Sequence, residues 1–253
     1  MKKIISGFTL FFASIVGFAQ PQAYYNGIDF ELNGQPLKNA LATRITNTHI
    51  DEISYAQVWT ALKVTDLNPT NSNQVMLIYG HTGVTSGTYS RVRAKDDNGG
   101  NTGDWNREHV YARSLGTPNL EQSAANSDAH HVRSSDVQLN GQRDAKKFAS
   151  GSGNSGSVGN SNSNWYPGDE WKGDVARMMM YMYLRYPTQC IPTNVAVGTV
   201  SSSFDQMSGL FLQWNVEDPV SQLEIQRNTY LGDASNSAGQ GNRNPFIDNP
   251  YLA

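Results

Sequence analysis

Asp174–Tyr186 reads DVARMMMYMYLRY, a stretch that is apolar nearly all round and stops before Pro187. A helix without a polar face has to be enclosed on every side, so the rest of the chain must supply enough elements to wrap it. The 253 residues suffice for one large domain, and five Trp, twelve Tyr and nine Phe give it a sizeable core. Met178–Met180 then read as core filling rather than as a metal or cofactor site. Asp174 and Arg177, one turn apart on this helix, are expected to pair with each other.

The elements that could do the wrapping are short and mixed. Leu37, Ala40, Leu41 and Ile45 follow Pro36 at helical spacing, and Tyr55, Val58, Trp59 and Leu62 form a second stripe. Asp218-Pro219 opens a further helix, with Val220, Leu223 and Tyr230 on one side. Val75–Tyr79 is too short for a helix and reads as a buried strand. Tyr89–Lys95 alternates, placing Arg91, Arg93 and Lys95 on the solvent face of an edge strand, where they could meet phosphates. Ser150–Asn164 is Gly, Ser and Asn apart from Val158, and is expected to be a mobile loop inserted in the domain. With no βαβ regularity, the fold class is α+β, in one mixed domain.

Residues 1–19 carry the marks of a secretory signal peptide. Lys2 and Lys3 form the charged start, Ile4–Phe18 the apolar run, and Gly17 and Ala19 the small residues of a cleavage site. The run is shorter than the ~20 apolar residues of a membrane span, and no second run follows, so residues 20–253 are expected to be exported, secreted or periplasmic, without an anchor. Cys190 is the only cysteine, which excludes an internal disulfide. Net charge is −3, and without Lys2 and Lys3 there are 17 basic side chains against 22 acidic. A polyanionic substrate would therefore have to be met by a local patch, for which Arg107, Arg113, Arg133, Arg143, Lys146 and Lys147 are candidates.

The histidines carry the chemistry. His109, His130 and His131 fall in one stretch with Glu108, Asp128 and Asn140, while His49 and His81 have no such context. The set does not suit zinc, a serine nucleophile or a phosphate loop. It does suit a hard cation and one base: a carboxylate and an amide oxygen are good Mg²⁺ ligands, and a neutral His takes a proton from water at physiological pH. Together they describe a one-metal phosphodiester hydrolase. Asn106–Val110 and His131-Val132 read as two strands, and Ser134 or Ser135 as the cap of a helix carrying Val137, Asn140, Gly141 and Phe148. Neighbours on a strand point to opposite faces, so Glu108 and His109 can share a site only if the backbone twists or the strand ends there.

WNREHVYARSLG (105–116), SDAHHVRSSDVQLNGQR (127–143), DEWKGDVARMMMYMYLRY (169–186) and, further on, WNVEDPVSQLEIQRN with QGNRNPFIDNP resemble the bacterial endonuclease I family. These are secreted nucleases of the ββα-metal, or His-Me finger, type, and the likeness runs from about residue 24 onward. The resemblance implies His109 as general base, with Glu108 and Asn140 as ligands of Mg²⁺, Mn²⁺ or Ca²⁺. It implies an enzyme that cuts DNA, and often RNA, without sequence preference, leaving 5′-phosphate and 3′-hydroxyl ends; a monomer is expected. Arg133 is its candidate phosphate-holding arginine, with Arg143 and Arg107 as further substrate contacts, and Asp128, His130 and His131 as supporting residues. Two other readings are an extracellular nuclease restricted to RNA and an exported DNA-binding module without turnover.

Overall fold

The computed structural model describes residues 23–202 and 205–253; the signal-peptide expectation for residues 1–19 lies outside them. The enclosed helix is α4, Lys172–Arg185, buried without a break from Gly173 to Leu184. Around it pack α1 (Gly34–Thr48), α5 (Pro192–Val195), α6 (Gly209–Glu217) and α8 (Pro245–Asp248). Its first turn abuts the loop after α6 so closely that a Cβ on Gly173 would clash with the Asp218 carbonyl oxygen. There the Asp218 carboxylate accepts the Gly173 N–H at 2.8 Å. Asp218 is thus engaged at α4, and the following helix, α7 (Gln222–Leu231), is capped instead by Ser221 and Glu224 in a reciprocal capping box.

A second core lies under α2 (Val58–Thr65), α7, and a sheet of β1 (Leu67–Asn68), β2 (Asn71–Met76) and β3 (Val92–Ala94). Val75–Tyr79 is buried throughout as expected, but only its first two residues stay in the ladder. The Ile78 N–H turns to the Ser134 carbonyl, and Tyr79 adopts a positive φ of 70°. β3 is an edge strand, yet its arginines do not form a free basic face. Arg93 binds the Asp136 carboxylate at 2.7 Å, and Arg91 binds Glu170.

β4 (Trp105–His109) pairs antiparallel with β5 (Val132–Asp136), and α3 (Val137–Arg143) follows at once. This is the ββα unit. The cap is Asp136, whose Oδ1 accepts the Gln138 and Leu139 N–H groups; Ser134 and Ser135 remain within the strand. The helix stops at Arg143, where Asp144 turns to φ 50°, so Phe148 lies beyond it in β6 (Lys147–Phe148).

The polar stretch 150–164 is not a free loop. It supplies β7 (Gly156–Val158), which pairs with β8 (Asn164–Tyr166), and β8 runs parallel to β6. Flanking aromatic residues anchor it: Trp165 and Tyr166 are buried, and the Ser155 hydroxyl donates to the Tyr79 carbonyl at 2.6 Å. Small polar residues can order in this way when backbone pairing satisfies them and neighbours provide the burial. β9 (Val200–Ser202) and β10 (Asp205–Ser208) form a separate hairpin. Near the end of the chain, Asp248 accepts the Tyr25 hydroxyl at 2.8 Å and pairs with Arg243.

A network of buried ions joins the two cores. Asp66, at the end of α2, accepts Arg133 Nε at 2.9 Å and the Ser134 N–H at 2.7 Å, and it also pairs with Arg227 of α7. Arg133 reaches on to Asp174 at 3.0 Å. Arg177 turns the other way, to Glu224, with Nη2 2.7 Å from Oε2. Asp174 and Arg177 therefore do not pair with each other; burial in opposite directions gives each a partner on another element. Removing one member of such a pair leaves a desolvated charge. Asp66→Ala should cost about 3–5 kcal/mol in urea unfolding, and a loss under about 1 kcal/mol would show that the arginines find other partners.

Candidate active site

On one side of β4 stand Asn106 and Glu108, two residues apart and so on the same face. Glu108 is buried, and its Oε1 accepts the Tyr79 hydroxyl at 3.0 Å. Arg143 Nη1 stands 3.5 Å away. Burial raises the Glu108 carboxyl to about 7, with Arg143 and the Tyr79 hydrogen bond opposing the rise. Asn140, on α3, donates its Nδ2 to Asn106 Oδ1 at 2.8 Å. That bond engages the amide nitrogen and leaves the Asn140 Oδ1 as the atom able to act as a ligand.

An amide oxygen and a carboxylate are both hard oxygen donors, and as a set they fit Mg²⁺ better than a soft metal. Among the described residues, no group of three His, Cys, Asp or Glu is arranged to hold a metal. A cation at Glu108 and Asn140 would then take its other ligands from water and substrate, as Mg²⁺ commonly does.

His109 is the last residue of β4 and, by alternation, projects to the side opposite Glu108. Its Nε2 lies 2.8 Å from the Asn126 carbonyl. A carbonyl only accepts, so Nε2 carries the proton, and in the neutral ring Nδ1 is left as the basic nitrogen. Burial, and then the neighbouring His131, lower the pKa to about 3, which keeps the ring neutral. His131 is seated in the same way, its Nε2 2.7 Å from the Ala125 carbonyl. One 3₁₀ turn, Ala124–Ser127, thus fixes both imidazoles, whose centroids are 5.5 Å apart.

The remaining expected residues divide. His130 is buried against Tyr181, with Nε2 on the Asn242 carbonyl, and does not face His109. Asp128 accepts the Tyr181 and Tyr186 hydroxyls and a Gln240 amide. Burial would raise its carboxyl, but His49, His130 and His131 outweigh that and hold it below the usual range. His49, for which the sequence offers no role, belongs to this cluster, with Nδ1 3.9 Å from Asp128. His81 stacks on Tyr89 and bonds Ser155.

Arg133 is fully buried and committed to Asp66 and Asp174, so its position does not suit it to hold a phosphate from solvent. Arg143 is buried too, its guanidinium donating to the His109 and Val110 carbonyls, where it buttresses the strand end. Arg107 is half-buried over Tyr55 and Trp59. Arg113 pairs with Glu121, and Lys147 reaches the Thr193 carbonyl.

The sequence reading missed Asn106, Tyr79 and Asn126. Asn106 had a signal, its place two residues before Glu108. Tyr79 and Asn126 had none, because one comes from a distant turn and the other acts through its backbone.

The family model for Endonuclease I matches residues 33–251. The chain belongs to the endonuclease I family. Two proteins named "Extracellular ribonuclease" are similar to it. The one from Bacillus subtilis (strain 168) is 38% identical over 246 residues, covering 93% of this chain and 78% of its own. The one from Bacillus amyloliquefaciens is 40% identical over 249 residues, covering 95% and 80%. As a member of the family, this α+β protein is a nuclease, a hydrolase that acts on phosphodiester bonds. No helix among the described residues is long and apolar enough to cross a membrane.

Burial also lowers the pKa of both His130 and His131 to about 4. In the unfolded chain each takes up a proton near pH 6.5, so unfolding binds up to two protons between these values. The contribution of these two rings should be present above about pH 6.5 and should be lost as pH drops towards 4, at about 1.4 kcal/mol per ring and pH unit, while the raised carboxyl of Glu108 works in the opposite direction over the same range. NMR titration of the imidazole Cε1 protons measures the rings directly; His130 and His131 protonating near pH 6.5 in the folded protein would refute their neutral seating.

Proposed function

We propose that the protein is a secreted, metal-dependent endonuclease that hydrolyses DNA and RNA without sequence preference, leaving 5′-phosphate and 3′-hydroxyl ends. The observation that supports this best is the seating of His109: a neutral imidazole whose Nε2–H is held by a carbonyl, so that Nδ1 can only accept. Such a group is a general base set in advance, for which a module that only binds has no use.

In this reading, Nδ1 of His109 takes the proton from a water that attacks phosphorus, and the bond from phosphorus to O3′ breaks. Glu108 and Asn140 hold Mg²⁺, with Mn²⁺ or Ca²⁺ as substitutes, and the bound cation would neutralise charge on the phosphate and on the departing oxygen. Asn106 keeps the Asn140 amide turned, Tyr79 steadies Glu108, and His131 packs behind the base.

The names of the two Bacillus relatives favour a second reading, in which RNA is the substrate and DNA is spared. Initial rates on matched duplex DNA, single-stranded DNA and RNA separate the two. Those names also support export, as does the start of the sequence.

Two outcomes test the assignment. Nicking of supercoiled plasmid should require Mg²⁺, stop with EDTA, and fall by about 10²–10⁴ in a folded His109→Ala protein, the usual worth of a general base; undiminished cutting would remove His109 from the role. Asn106→Ala should raise the Mn²⁺ concentration needed for thermal stabilisation by about tenfold to a hundredfold, and an unshifted titration would mean that Asn106 does not orient Asn140.

A further inference from the structure

The arginines around the ββα unit are nearly all neutralised. Arg133 pairs with Asp66 and Asp174, Arg93 with Asp136, Arg91 with Glu170 and Arg113 with Glu121, while Arg143 lies near Glu108. Arg107 differs, since among the described residues no carboxylate pairs with it. Its guanidinium carbon lies 3.5 Å from the Tyr55 ring centroid and 4.3 Å from that of Trp59, and Nη1 donates to the Tyr55 carbonyl. Its Nε is buried and bonds to nothing.

Two features connect this cation to the chemistry. Arg107 precedes His109 by two residues on β4 and therefore shares its face. Tyr55 meets both side chains, because the His109 ring lies 5.4 Å from the Tyr55 ring at an interplanar angle of 31°. A guanidinium and an imidazole thus border one tyrosine. Holding a half-buried cation without a counter-ion is costly, and the arrangement is best explained by an anion that arrives with the substrate. Stacking fixes the plane of the fork in advance, so little side-chain freedom remains to be lost when a phosphate binds.

We propose that Arg107 binds a phosphate of the nucleic-acid backbone beside the bond that is cut, and that Tyr55 and Trp59 are its brace. The proposal rests on His109 being the base. It replaces Arg133, whose buried ion pairs keep it away from substrate.

The test is binding of a fluorescent single-stranded DNA 12-mer in EDTA by anisotropy, at several salt concentrations between about 50 and 200 mM, next to steady-state cleavage with Mg²⁺. Arg107→Ala should weaken binding by about tenfold to a hundredfold and reduce the slope of log K against log salt by about 0.7, the share of one phosphate contact on a single strand. Arg107→Lys should keep the slope and recover part of the affinity. Tyr55→Leu should weaken binding with the slope unchanged, since the charge is retained. Lys38→Ala, which is remote and paired with Asp205, should change neither quantity.

An Arg107→Ala protein with unchanged affinity and slope overturns the proposal, as does one whose effect Lys38→Ala reproduces. An unaffected Tyr55→Leu overturns the brace. If Arg107→Ala does not fold, Arg107→Gln removes the same charge and is read the same way. Because binding is measured without metal, this result is independent of the base: cutting that survives His109→Ala would sink that assignment while leaving the phosphate contact standing.

Discussion

A single buried carboxylate sets the frame in which the catalytic ribbon sits. Asp66 ends α2 and binds one arginine from β5 and one from α7. Arg133 then stands opposite Glu108 in the ladder, and Val132 opposite His109. Since side chains alternate along a strand, a slip of one residue would exchange the sides on which Glu108 and His109 project. Hydrophobic contacts alone hold register loosely on a two-stranded ribbon, whereas an arginine locked between Asp66 and Asp174 cannot shift without exposing a charge to the core. The ion network thus fixes which face of β4 receives which group.

The site is rigid for a related reason: side chains are held by main-chain atoms. The imidazoles of His109, His131 and His130 are each fixed by a carbonyl, from Asn126, Ala125 and Asn242. Arg143 donates to the carbonyls of His109 and Val110. Main-chain acceptors do not titrate and have little freedom, so the ring tautomers are set by the fold rather than by pH. The stretch 150–164 takes part in this support, because Ser155 holds the Tyr79 carbonyl while the Tyr79 hydroxyl holds Glu108.

Much of this was legible in the sequence, and what was not has physical causes. The central helix and the two-strand-and-helix unit follow from hydrophobic period and short motifs. Partner choice does not. Asp174 and Arg177 have the spacing of a helical pair, yet burial on opposite sides gives each a more distant partner. Arg91 and Arg93 alternate as an edge strand should, but acidic residues from remote segments neutralise them. The Gly, Ser and Asn stretch is poor in apolar residues and orders because Trp165 and Tyr166 bury beside it. Composition reports what a segment can bury by itself, and all three outcomes depend on what other segments bring to it.

The contact of Tyr25 with Asp248, strengthened by Arg243, joins the first described stretch to one of the last. The fold is therefore close to a ring in its connectivity, with the two partners 223 positions apart. A ring of this kind has no preferred point of entry. Its order along the gene and its order in space are separable, so a circularly permuted chain, opened at an exposed turn and joined across this contact, would still hold every element described here.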